Sequence, residues 1–209
     1  MSQVQLFTGF ERFWHWTQAI LIFGLLLTGF EIHGTYHIFG FEKAINIHQI
    51  LAWTLIGLWA FAIFWHLTTG EWRQYVPTGK GLFAMMLYYG YGIFSGEAKP
   101  YQTTRAAKHN PLQRLAYLGF KVIIAPALWI SGLLLLFYVD WNATALGGAL
   151  TLTIVAWVHV AAAFALMIFL IAHLYLAVTM GHPWYSMLVA MFTGNEELDE
   201  QEAAASRRA

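Results

Sequence analysis

Residues 159–173 read HVAAAFALMIFLIAH, and they lie within a longer run, residues 143–180, that has no Asp, Glu, Lys or Arg. About 20 apolar residues cross the hydrocarbon core of a bilayer. The run therefore predicts a transmembrane helix carrying two imidazoles, each costly at membrane depth unless something compensates it. The two histidines are 14 residues apart, close to four helical turns, so both rings leave the same helix face with about 21 Å of rise between them. They cannot share one ion. Each can serve a separate centre, stacked across the membrane.

The rest of the chain agrees with a membrane reading. Of its 209 residues, 59% are hydrophobic and only 11% charged, where a soluble domain carries roughly 25% charged residues. Three more runs are long and nearly free of charge: residues 13–30, 44–65 and 122–139. The pattern predicts an all-α integral membrane protein, a four-helix transmembrane bundle with helices over about 13–31, 44–66, 112–139 and 148–180. We expect a single membrane domain over residues 1–195, followed by an acidic cytoplasmic tail at 196–209, solvated and partly frayed. The first run lacks a basic leader and a small-residue cleavage site, so it reads as a retained helix. With no cysteine, disulfides, thiolate metal sites, iron–sulfur ligation and C-x-x-C-H haem attachment are excluded.

Lysine and arginine positions set the expected orientation. The connection between the second and third helices holds Arg73, Lys80, Lys99, Arg105 and Lys108, with Arg114 and Lys121 close behind. The first connection offers Lys43 and the third offers no cation. Counting cations places both termini and the long loop in the cytoplasm. Within that loop, residues 80–96 (KGLFAMMLYYGYGIFSG) are too short and broken for a fifth span and read as an interfacial segment.

This orientation sorts nine histidines by depth. His33, His37, His109 and His182 fall in connections and read as solvated or interfacial rings. His48 and His159 fall in the outer half, His15 and His173 in the inner half. Each layer thus receives two histidines from different helices, which is what a bis-histidine haem b wedged between helices requires. Two imidazoles on one iron fill both axial sites and suit electron transfer. His66, 18 residues after His48 and on the same face, could compete with His15 for the inner haem; otherwise it neighbours a propionate or a quinone. Arg12, one turn before His15, reads as a propionate partner or a cytoplasmic anchor. Arg105, Lys108 and Arg114 divide between anchoring, propionate contact and a quinone headgroup. Lys121 is expected to snorkel to the inner surface. Gly29 after Thr28 and Gly132 after Ser131 admit close approach of a helix or porphyrin, and Pro126 predicts a kink.

With these residues assembled, the chain resembles the bacterial dihaem cytochrome b family that anchors respiratory enzymes. It is most similar to the gamma subunit of membrane formate dehydrogenase and, more loosely, to the cytochrome b of nickel–iron hydrogenase and of thiosulfate reductase. ERFWHW at 11–16, NIHQILA at 46–52, KHNPLQR at 108–114, HVAAAF at 159–164 and HLYLA at 173–177 carry the resemblance, which runs from about residue 8 to 195. It implies two noncovalent haems b, the outer on His48 and His159 and the inner on His15 and His173. It also implies a quinone pocket, for menaquinone or ubiquinone, beside the inner haem near Asn110 and Gln113. Pro111 and Leu112 stand where the family has smaller residues.

The function expected is that of a membrane-anchoring dihaem subunit in the bacterial cytoplasmic membrane. It would carry electrons between a periplasmic redox partner (iron–sulfur, molybdenum, nickel–iron or multihaem) and the quinone pool. The chain has no substrate chemistry of its own beyond quinone redox, and no basic-aromatic surface for nucleic acid. An alternative within the same fold is a stand-alone superoxide:quinone oxidoreductase of cytochrome b561 type. The outer connections carry Lys43 against Glu31, Glu42 and Asp140, a poor attractant for an anion. A metal permease would want carboxylates beside the intramembrane histidines, and the spans contain none near their centres.

Overall fold

The computed structural model describes residues 2–97, 100–101, 108–144, 147, 149–179 and 185–198. Lys99, Arg105, His182 and the tail from residue 199 lie outside the described residues. Four helices are long and apolar enough to cross a membrane: α1 (Gly9–Ile32), α2 (Phe41–Thr69), α4 (Pro111–Leu136) and α6 (Leu152–Thr179). Shorter helices are α3 (Leu82–Leu87), α5 (Tyr138–Asn142) and α7 (Ser186–Thr193). The expected interfacial segment corresponds to α3 and a wide π turn, Tyr88–Gly92. Apolar side chains such as Phe64, Val122, Trp157 and Ile168 point outward. Lipid is the solvent such faces require, because the helices satisfy their backbone groups internally.

The sequence punctuates these helices clearly. Thr8 starts α1 with a capping box: its hydroxyl accepts from the Glu11 N–H, and the Glu11 carboxylate accepts from the Thr8 N–H. Asn110 and Gln113 repeat the device at the start of α4, where Pro111 takes the first-turn position that needs no N–H. Pro126 leaves an intrahelical carbonyl without a donor, and α4 absorbs this in a π turn at Phe120–Ile124 just before it.

The described residues form two compact units, one from residues 2–73 with 188–198 and one from those between 74 and 187. In the first, α1 and α2 are antiparallel. Gln18 accepts from the Trp59 indole, Gly24 meets Leu51, and Thr28 meets His48. The connection is closed by Glu31, 2% exposed, whose Oε1 accepts from the N–H groups of Ile38, Phe39 and Gly40 at 2.8, 2.7 and 2.8 Å. That carboxylate therefore faces the start of α2, where helix N–H groups lack partners. In the second unit α4 and α6 are antiparallel, with Ser131 against His159, Phe120 stacked on Phe169 and Tyr117 against His173.

The all-helical expectation needs one addition. Ser2–Gln5 and Asn195–Leu198 form a two-stranded antiparallel ladder with Gln5 opposite Asn195. Glu196 to Leu198, expected within the frayed tail, are instead in a strand. Leu6, Phe7 and Ala190 form a small core beside the ladder. The two segments so paired precede α1 and follow α7.

Candidate functional site

The four predicted ligands, His15, His48, His159 and His173, are all half-buried. In the first unit, His48 lies level with the C-terminal end of α1, and His15 lies near its N-terminal end. In the second unit His159 lies level with Ser131, and His173 lies level with Tyr117 at the other end of the pair. Each helix pair thus carries one candidate ligand toward each end, as the sequence spacing requires.

His48 and His159 share one local design. The Thr28 hydroxyl donates to the Gly24 carbonyl one turn back (2.8 Å), and its oxygen lies 2.9 Å from His48 Nδ1. The Ser131 hydroxyl donates to the Ala127 carbonyl, and its oxygen lies 3.0 Å from His159 Nδ1. A hydroxyl has one proton. With that proton directed at a carbonyl, the oxygen accepts, so each Nδ1 carries the hydrogen and the basic lone pair sits on Nε2. The residue after each hydroxyl is glycine. A Cβ on Gly29 would lie 3.6 Å from His48 Cε1, and one on Gly132 would lie 3.3 Å from His159 Cε1. Thr28 and Ser131 are 1% and 3% exposed.

The opposite ends differ. His15 packs edge-on to Trp16 and parallel to Trp14. His66, expected at the interface, is buried at 8% exposure. Its Nδ1 donates to the Ala62 carbonyl at 2.6 Å, and its ring lies 5.7 Å from that of Trp14. In the second unit His173 Nδ1 is 3.3 Å from the Tyr117 hydroxyl, and Phe169 lies parallel to the imidazole.

His109, read from the sequence as a solvated or interfacial ring, is half-buried. It packs between Tyr75 (5.3 Å between ring centres) and Tyr117 (4.8 Å). Burial, then the cations of Lys108, Lys121 and Arg114 and the His173 ring, push its pKa down to about 3. Lys121 lays its ammonium 3.0 Å above the Tyr75 ring centre, a cation–π contact. Tyr89 and Tyr101 have pKa values raised by burial.

The remaining site residues build structure. Asn110, 1% exposed, accepts from the Gln113 N–H and donates to the Tyr89 hydroxyl at 2.8 Å. Gln113 accepts from the Asn110 N–H. Arg114 donates to the carbonyls of His109 (2.9 Å) and Val76 (3.4 Å). Arg12 Nη1 donates to the Phe192 carbonyl, and Trp16, one turn along, donates to that of Met191 at 2.9 Å. Both serve the last carbonyls of α7, which lack helical partners. Gly194, at φ +88°, then turns the chain into the second strand. Sequence reasoning named Gly29 and Gly132 for size alone. It missed the hydroxyl roles, Tyr117 and the burial of His109.

The chain matches the model of the prokaryotic cytochrome b561 family over residues 6–194 and belongs to that family. It is a multi-pass membrane haem protein of cytochrome b561 type, an electron-transfer class whose haem is haem b. Among curated proteins it is similar to "Putative cytochrome YdhU" of Escherichia coli (strain K12), 27% identical over 141 residues. The match covers 65% of this chain and 54% of that protein, so the aligned part spans about half the relative's length. No solved structure matches the chain.

The donor set fits the family's cofactor. Imidazoles whose Nδ1–H is spent on a neighbouring acceptor present Nε2 to a metal, and His48 and His159 are both held in that form. Glycine beside each ring leaves space that any Cβ would take.

Proposed function

We propose that the chain is the membrane-anchoring dihaem b subunit of a respiratory oxidoreductase, passing electrons between a periplasmic redox partner and membrane quinone. His48 and His159 would hold the outer iron and His15 and His173 the inner one. The observation that carries this reading is the matched placement of Nδ1-bonded histidines facing hydroxyl–glycine pairs in both helix pairs, with a second histidine toward the far end of each. Bound there, haem b supplies one-electron exchange at an iron whose two axial positions are filled.

The chain's own residues hold, orient and insulate. Thr28 and Ser131 set the tautomers of His48 and His159, and the apolar side chains of each helix pair keep water away. Trp14 packs against both His15 and His66, which fits His66 as a neighbour of the inner centre. Quinone would react at the His173 end of α4, where His109, Tyr117 and Lys121 bring protonatable groups to a membrane-embedded rim. Asn110 and Gln113 shape that rim by capping α4, and Arg114 fixes its loop; Arg12 holds the end of α7, leaving propionate contact as a second duty for both arginines. Cation placement and the pairing of the two chain ends support a cytoplasmic location for both termini in the bacterial inner membrane.

The test is purification of the chain from haem-replete membranes. The expected result is a low-spin bis-histidine spectrum with two haems b per chain, reducible by quinol. A purified protein with no Soret absorbance would sink the reading.

A further inference from the structure

We propose that Thr28 and Ser131 are positioning residues that set the electron-donating strength, and so the reduction potential, of one centre, the one served by His48 and His159. This rests on the proposed ligand role of those histidines. Two helices with unrelated surroundings, LLLTGFEI in α1 and LWISGLLL in α4, present the same hydroxyl–glycine pair to a histidine on an antiparallel neighbour. In both, the hydroxyl proton goes to a carbonyl four residues back, Gly24 or Ala127. The oxygen then has only lone pairs to offer Nδ1. The alternative tautomer would set lone pairs against each other at 2.9 and 3.0 Å. Accepting a hydrogen bond from Nδ1–H makes Nε2 a stronger donor to a metal. A stronger donor favours the oxidised iron and lowers the potential. Both ligands of one centre are served this way, so the effects act together. His173 faces the Tyr117 phenol instead.

The test uses the full chain, haem-loaded and in detergent, followed by optical redox titration and low-temperature electron paramagnetic resonance. His48→Ala and His159→Ala identify the centre they share by the haem they lose. Thr28→Val, which keeps the shape and removes the hydroxyl, and Ser131→Ala should retain both haems and shift the midpoint of that same haem upward. Thr28→Ser should return the midpoint close to wild type. Gly132→Ala, whose Cβ would meet His159 Cε1 at 3.3 Å, should alter that haem's low-spin signal. If His48→Ala and His159→Ala each lose a haem while Thr28→Val and Ser131→Ala leave both midpoints unchanged, the hydroxyl role is wrong and the ligand reading survives. Loss of haem from Thr28→Val and Thr28→Ser alike would also overturn it, since packing rather than the hydroxyl would then matter. If His48→Ala and His159→Ala both keep two haems, the ligand reading and this inference fall together.

Discussion

The two ends of each helix pair are made from different chemistry. At the Thr28 and Ser131 end, short neutral hydroxyls and glycines face the imidazoles. At the other end the neighbours are Trp14 and His66 in one unit, and Tyr117, His109 and Lys121 in the other. The first environment fixes a ligand and holds it. The second can also store and move protons, which quinone chemistry requires and simple electron relay does not. On the proposed reading, conduction belongs to the end that carries hydroxyls and proton-coupled exchange to the end that carries phenols and cations.

The contrast can be broken most severely by removing ligands. His159→Ala and His173→Ala should each cost one haem but a different one, so the remaining spectra and midpoints should not coincide; coincident spectra would dissolve the two-end picture. Tyr117→Phe should come next. It should keep both haems, move the midpoint of the haem that His173→Ala loses, and slow quinol oxidation, while leaving the other midpoint alone. Asn110→Ala removes a helix cap and the bond to Tyr89. It should lower thermal stability by about 1 kcal/mol without a change of potential, as measured by haem release on heating. A large potential shift would instead mean that Asn110 contacts a cofactor or quinone directly.

Smaller effects test the edges of the comparison. Arg12→Gln should loosen the end of α7, seen as faster protease cleavage near residues 193–198, and any midpoint shift would add propionate contact to its role. His109 stays neutral when folded because burial and nearby cations hold its pKa to about 3. An unfolded chain binds that proton near pH 6.5, so its contribution to stability is full above that pH and falls as pH drops toward 3. Wild type should therefore lose more thermal stability than His109→Gln between pH 7 and pH 5.

Much of this was legible from residues alone. The spans were, because uncharged runs of that length have few alternatives; α2 and α6 end within about three residues of their expected bounds where Gly70 and the run's own edges mark them. The candidate ligand histidines stand out by spacing, since 14 residues in an apolar helix come close to four turns and return to one face. Tyr117 and Ser131 repeat that same separation on α4, a signal available in the sequence and overlooked. Three features were not legible. The Ser2–Gln5 ladder joins segments almost 200 residues apart and only four residues long, with no alternation strong enough to announce a strand. The inward turn of His109 depends on Tyr75 and Tyr117 arriving from separate elements. The hydroxyl bonds of Thr28 and Ser131 depend on the register of the facing helix, and a single helix does not contain that register.

The central claim is that His48 pairs with His159 on one iron and His15 with His173 on another. Haem-to-protein ratios of double variants test it directly. His48→Ala combined with His159→Ala should lose one haem, no more than either single change, whereas His48→Ala combined with His173→Ala should lose both. If the first pair loses both haems, or the second keeps one, the proposed pairing is wrong.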